Sequence, residues 1–431
     1  MNQFSLDLPG VAGDDAATAD QRRWPPTRAE GLARLEAFRG RMGRHYARNR
    51  NFDWGPDRRD NVSLVSPWLR RRLVTEEEAV RMAVETHGGG ADKFVQEVFW
   101  RSYWKGWLEM RPSVWRAYVA GRDADRMALR DYPDLAARLA KAEAGETGLE
   151  CFDAWARELV DTGWLHNHAR MWFASIWVFT LELPWRLGAD FFLRNLLDGD
   201  PASNTLGWRW VAGLHTRGKV YSAEAWNIAK FTSGRFQPDP RDLAPDPAPL
   251  HEEPTAPAAP LAPAPRLDPD RPAALLLTEE DLAPEDWRAA HGLDFRGLRA
   301  AATLQLSQAR SDQPISPAVA RFDCGALEDA GERARALGAP LAERLADVAP
   351  ADLARWARRA GAVQVVTGWA PVGPVRDQLA AARPALREVG AELVMLRRPW
   401  DDAVWPHATA GFFKVKEKIP GLVKRLIHGA A

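Results

Sequence analysis

The chain has 431 residues, with 58 lysines and arginines balanced by 58 aspartates and glutamates, so its formal net charge is zero. That length exceeds one ordinary core and fits two domains. The balance argues against a protein that coats nucleic acid non-specifically, because that affinity comes from many phosphate contacts, but it leaves room for a local basic groove. The two cysteines, Cys151 and Cys324, cannot supply a zinc site or an iron–sulfur cluster and do not suggest a disulfide scaffold. No metal is therefore expected, and a reducing cytoplasm is the expected compartment. No apolar run reaches membrane-spanning length, and the polar, acidic N-terminus lacks the order of a signal peptide.

In chain order, residues 1–23 read as disordered and residues 24–236 as helical. GLARLEAFRGRMGRHYA, TEEEAVRMAVETH, ADKFVQEVFWRSYWKGWLEM and CFDAWARELVDTG repeat apolar residues every three or four positions. Thr75 before Glu76–Glu78 predicts a helix start, and so does Asp161–Thr162 before a glycine. Residues 237–271, rich in Pro, Ala and Asp, read as an extended interdomain linker. From 272 to 431, strand-length runs (PAALLLT, RAAATLQL, AVQVVTG, AELVMLRR) alternate with amphipathic helices (GALEDAGERARALGAPLAERLA, APADLARWARRAG, GPVRDQLAAARPALREVG). The alternation predicts a parallel sheet with helices on its faces. No Gly-rich phosphate fingerprint follows the first strand.

Tryptophan is abundant, 20 residues, and most lie before residue 230. Indoles can pack a core, line a stacking pocket or carry electrons. The most informative segment is Thr162–Trp210. Trp164, Asn167, Arg170 and Met171 follow helical spacing; Asp198 and Asp200 flank Gly199; Asn204 and Trp208 follow. Helix caps and a buried Arg–Asp pair would explain any one of these. An amide, a guanidinium, two carboxylates and indoles together suit a polar aromatic heterocycle.

TGWLHNHARM and DGDPASNTLGWRW resemble, in wording and separation, the signatures of the FAD-binding domain of DNA photolyases and cryptochromes. The resemblance covers residues 30–210. It implies an all-helical FAD-binding domain in which Arg170 and Asp198 pair beside the flavin ring, Asp200 holds the adenosine end, and Asn204 faces flavin N5. Tyr46 and the stretch Val62–Pro67 resemble the phosphate-binding part, with Ser63, Val65 and Ser66 kept and Val62 replacing a threonine. FVQEVFWRSYW resembles the lesion-facing stretch: Glu97 matches the acid that hydrogen-bonds the lesion, Trp100 the aromatic that stacks on it, and Arg101 the basic residue at the flavin and DNA edge. Phe94 and Trp104 replace a tryptophan and a tyrosine. Asn167 and Met171 resemble the cyclobutane-dimer enzymes rather than those for the (6-4) photoproduct, which carry histidines there. His168 and Trp210, with Arg101, are the expected DNA contacts. Trp208 and Trp185 match the first members of an electron relay. The third, near Leu129–Asp131, is missing, and Trp172 or Trp177 are candidates to replace it.

After Trp210 the resemblance degrades, though Arg217, Lys219, Lys230 and Arg235 could meet phosphate. The α/β part resembles the antenna domain that normally precedes the helical one, so the resemblance implies a swapped order, a circular permutation. TEEDL replaces its usual Arg-rich loop, which leaves an antenna chromophore possible but unidentified. The reading is a blue-light, FAD-dependent enzyme that splits cyclobutane pyrimidine dimers in UV-damaged DNA. The alternative is a cryptochrome-like photoreceptor with an unidentified signalling partner.

Overall fold

A computed structural model describes residues 23–216 and 218–429. The expected disorder of residues 1–22 and the phosphate role of Arg217 lie outside them. The helical half contains α1 (Arg28–Phe38), α2 (Arg44–Asn49), α3 (Ser66–Arg70), α4 (Glu76–His87), α5 (Asp92–Glu109) and α6 (Pro112–Ala128). It continues with α7 (Pro133–Ala144), α8 (Glu150–Thr162), α9 (Asn167–Ser175), α10 (Trp185–Asn195), α11 (Pro201–Val211) and α12 (Ala225–Phe231).

Thr75 starts α4 as expected, through a capping box: its hydroxyl accepts the Glu78 N–H, and the Glu78 carboxylate accepts the Thr75 N–H at 2.8 Å. Asp161 and Thr162 do the reverse of what they predict. They end α8, and Gly163 (φ 65°) closes it with its N–H on the Leu159 carbonyl at 2.9 Å. Only a residue without Cβ takes that left-handed cap cheaply. Trp164 likewise sits before α9 rather than in it, because His166 is the N-cap. Trp68, Trp155, Trp172 and Trp177 are 0% exposed, so much of the tryptophan excess is core.

The second half holds a five-stranded sheet of order β3-β2-β1-β4-β5, all pairs parallel. Its strands are β1 (Ala273–Thr278), β2 (Ala300–Gln305), β3 (Leu341–Ala346), β4 (Gln364–Gly368) and β5 (Glu392–Leu396). Central β1 is buried along its whole length, as its unbroken apolar run requires between two helical layers. The helices are α13 (Glu285–His291), α14 (Pro317–Ala336), α15 (Pro350–Arg359) and α16 (Pro374–Glu388), then α17 (Pro399–Val404), α18 (Phe413–Lys416) and α19 (Ile419–His428).

Strand β3 corrects the single long helix expected over GALEDAGERARALGAPLAERLA. Helix α14 stops at Ala336, Gly338 turns with φ 106°, and the rest is an edge strand of alternating exposure. Leu341 and Leu345 are four apart, a spacing that fits one face of a helix and one face of a strand equally well.

Two features join the halves. The linker is a strap rather than a free spacer: Leu250 N–H bonds the Ala212 carbonyl at 3.0 Å, and Ala259 N–H the Met110 carbonyl at 2.8 Å. Beyond β5 the chain returns to the helical half. Trp400 donates from Nε1 to Ser102 Oγ at 2.8 Å, and a Cβ on Gly106 of α5 would lie 2.9 Å from Trp405 Cα. Only glycine admits that approach.

Candidate flavin site

Helices α5, α9 and α11, the loop before α3 and the turn Leu196–Asp200 enclose a cavity of about 650 Å³. Tyr46, Ser63, Val65, Ser66, Glu97, Trp100, Arg101, Asn167, His168, Arg170, Met171, Asp198, Asp200, Asn204, Trp208 and Trp210 all line it. Trp185 stands apart from them, in a separate hollow.

The turn between α10 and α11 carries the carboxylates. Arg170 donates from Nη2 to Asp198 Oδ2 at 2.9 Å and from Nε to the Leu165 carbonyl, also at 2.9 Å. Burial opposes ionisation of Asp198, but Arg170 and the Ser66 hydroxyl hold its carboxyl below the usual range. Asp200 caps α11 by accepting the Ser203 N–H at 2.9 Å. Burial opposes its ionisation too, and Lys105 at 3.3 Å, Arg101 at 3.6 Å and Arg70 at 3.9 Å drive it far below the usual range. Asn204 spends an amide hydrogen on the Ala189 carbonyl at 2.7 Å, which fixes its side chain in the wall. Ser66 Oγ accepts Trp164 Nε1–H at 3.2 Å, so that indole, although outside α9, still braces the site.

Also lining the cavity, Glu97 accepts from Arg50 Nη1 at 2.5 Å. Burial nevertheless pushes the Glu97 carboxyl above its ordinary value. Trp100 stacks on Phe412 with centroids 3.8 Å apart and planes at 13°. Asn167 Nδ2 points to Met171 Sδ at 3.9 Å. His168 bridges the Asn51 carbonyl and the Tyr221 hydroxyl, each at 3.0 Å. Tyr221 packs on Trp210, 5.7 Å between centroids. Lys219 and Lys230 are exposed, whereas Arg235 is drawn to Asp53 at 2.6 Å, so phosphate is not its partner here.

Trp208 packs edge-on to Trp177 at 6.1 Å and to Phe192 at 5.1 Å. Trp185 instead lies 5.8 Å from Tyr118 and donates to Glu252 of the strap at 3.1 Å. Trp177, one of the two candidate replacements in the relay, is thus the indole in ring contact with Trp208.

The cavity suits FAD on its own chemistry. Asp198 Oδ1, Arg101 Nε and Nη2 and Trp208 Nε1, all of cavity-lining residues, are buried without a hydrogen-bond partner among the described residues. Buried polar atoms are rarely left so, and a ligand bearing both donors and acceptors would satisfy them. Indoles and hydroxyls provide the remaining walls. Among the described residues no cluster of His, Cys, Asp or Glu could hold a metal, and no helix is long and apolar enough to cross a membrane. Arg50, Arg70 and Lys105 were not foreseen: single basic residues carry no signal until folding places acids beside them.

Replacing Arg170 with Ala is expected to leave Asp198 buried and unpaired. Breaking a buried pair costs about 3–5 kcal/mol, and the partial exposure of Arg170 places this case nearer the lower end. Urea unfolding of the flavin-free protein measures it; a change under about 1 kcal/mol would contradict the pairing.

The FAD binding domain of DNA photolyase, as a sequence family, matches residues 94–239. A deoxyribodipyrimidine photo-lyase of Streptomyces griseus is 39% identical over 158 residues, 36% of this chain and 33% of its own. One from Salmonella typhimurium is 30% identical over 222 residues, 51% of this chain and 45% of its own. The chain therefore spans less than half the length of these relatives. A solved class III photolyase of Agrobacterium tumefaciens is similar at 26% identity and a TM-score of 0.39, covering 50% of this chain and 45% of that one. The helical half of this protein is thus similar to the FAD-binding domain of DNA photolyases, with the family match falling on residues 94–239.

Proposed function

We propose that the protein is a light-driven photolyase that splits cyclobutane pyrimidine dimers in DNA. The carrying observation is that one cavity holds both the flavin-side set, Arg170, Asp198, Asp200 and Asn204, and the lesion-side pair, Glu97 and Trp100. Bound, reduced FAD supplies blue-light photochemistry, an electron lent to the dimer and then regained. The protein supplies the place. A damaged base leaves the stack cheaply, and an indole such as Trp100 offers stacking worth ~1–3 kcal/mol per base. Glu97, its carboxyl pushed up by burial, is suited to hydrogen-bond a pyrimidine edge. Splitting the ring moves no hydroxyl between bases, so Asn167 and Met171 suffice where the (6-4) reaction would need histidines. Exposed Lys219 and Lys230 offer charge for phosphates. The α/β domain, which follows the helical one here, is read as an antenna-type domain in swapped order.

One observation favours the second reading, a photoreceptor without repair: Trp100 already stacks on Phe412, and Glu97 is already paired with Arg50. The deciding assay gives photoreduced protein single-stranded DNA with a single thymine cyclobutane dimer, in blue light and in darkness. Light-dependent recovery of thymines is expected. No recovery with FAD bound and fully reduced would transfer the assignment to the photoreceptor.

A further inference from the structure

The turn Leu196–Asp200 presents both flavin-side carboxylates, and its backbone is not held by the helical half alone. The Leu196 carbonyl accepts from Arg310 Nη1 at 3.4 Å, the Leu197 carbonyl from Arg71 Nη1 at 2.5 Å, and the Gly199 carbonyl from Arg70 Nε at 2.8 Å. Each guanidinium is in turn held by a carboxylate of the α/β domain. Glu280, in the loop after β1, grips Arg70 through both oxygens at 2.8 and 2.6 Å. Asp323, on α14, takes Arg71 Nε and Arg310 Nη2, the latter at 3.1 Å, and accepts the Ser307 hydroxyl at 2.7 Å. All of these side chains are at most 3% exposed.

We propose that Glu280 and Asp323 are positioning residues of the flavin site, so that the α/β domain completes a pocket whose lining comes from the helical domain. The proposal rests on the flavin reading but not on repair. A guanidinium this deeply buried stays only where a carboxylate balances it, and its planar fork fixes direction as well as charge. Without Glu280, Arg70 has another acid within reach: its Nε is 3.9 Å from Asp200 Oδ2. Turning to Asp200 would release the Gly199 carbonyl and draw that carboxylate off the cavity. The acidic TEEDL stretch, anomalous for an antenna loop, thereby acquires a role in the other domain's site.

The test titrates FAD into full-length, flavin-stripped protein by fluorescence, alongside thermal unfolding of each stripped variant. Glu280→Gln and Asp323→Asn are compared with Glu109→Gln. Glu109 is also a buried interdomain acid, paired with Arg376 at 3.2 Å, but it holds none of the three arginines on the turn. We expect the first two to weaken FAD about tenfold or more and Glu109→Gln less than about twofold, with all three less stable than wild type. Equal weakening by Glu109→Gln would reduce the effect to lost stability and overturn the proposal; so would unchanged affinity in Glu280→Gln. Should Asp323→Asn not fold, the charge swap Arg70→Glu with Glu280→Arg serves. It should regain stability but not FAD affinity, since glutamate cannot donate to the Gly199 carbonyl, and recovery of both would refute positioning. Wild-type protein that takes up no FAD would instead sink the flavin reading itself.

Discussion

Glu97→Ala is expected to lower the yield of light-dependent dimer repair by an order of magnitude or more while FAD stays bound. A hydrogen bond involving a charged or strongly polar buried partner contributes about 1.5–3 kcal/mol, which is roughly tenfold to a hundredfold in rate or occupancy. Glu97 stands on α5 and lines the cavity, and its partner Arg50 is not among the flavin-side residues. Under the proposed function its loss removes a contact to the lesion without touching the Asp198–Asp200 turn. Flavin absorbance after gel filtration reports retention, and thymine recovery reports repair. The Glu97→Gln variant separates shape from charge: partial repair there would fit a hydrogen-bonding role. Equal repair in Glu97→Ala and wild type would remove Glu97 from the site.

The second large effect is acid sensitivity above the range in which carboxylates titrate. His166 and His215 each have a pKa lowered to about 4, primarily by burial. For His166, Arg170 and His168 add to that, opposed by Asp53 and the Arg50 carbonyl; for His215, Arg209 and Arg111 add to it. The contacts explain why the neutral form is built in. His166 Nε2 donates to the Arg50 carbonyl at 3.0 Å, and its Nδ1 accepts the His168 N–H that starts α9, at 3.2 Å. A proton on Nδ1 would break that cap. His215 Nε2 meets the Tyr103 hydroxyl at 3.1 Å, and its Nδ1 is buried without a hydrogen-bond partner among the described residues. In the unfolded chain both histidines titrate near ~6.5. Between that value and about 4 the unfolded state binds more protons than the folded one, so stability is full above the unfolded value and falls as the pH drops through the window. Each histidine contributes up to roughly 3 kcal/mol, less for the incompletely buried His215. Urea midpoints at neutral pH and near pH ~4.5 should differ accordingly. His166→Gln with His215→Gln should flatten the slope. A pH slope equal in wild type and in the double variant would show that the histidines are not held neutral.

Much of this was legible in the sequence because it lay within short segments. The helical periodicities, the capping box at Thr75, the apolar runs of β1, β2, β4 and β5, and the Pro-rich boundary are all local. The lining of the cavity was also legible, since its residues fall in a few compact motifs that folding brings together. Arg170 with Asp198, Asp200 and Asn204 are examples. Errors came where one pattern serves two structures. Asp161–Thr162–Gly163 can begin or end a helix, and Leu341 with Leu345 fits a helix or an edge strand.

What only the tertiary structure decided concerns long-range charge and contact. No sequence pattern says that Arg70 meets Glu280 or that Arg71 and Arg310 share Asp323, because pairs so distant along the chain are chosen by domain packing. The same holds for Trp100 on Phe412 and for Trp177, rather than Trp185, against Trp208. Sequence by itself determined the kinds of group available to a flavin. Packing determined which of them are buried, and burial sets the dielectric in which each charge must find its partner.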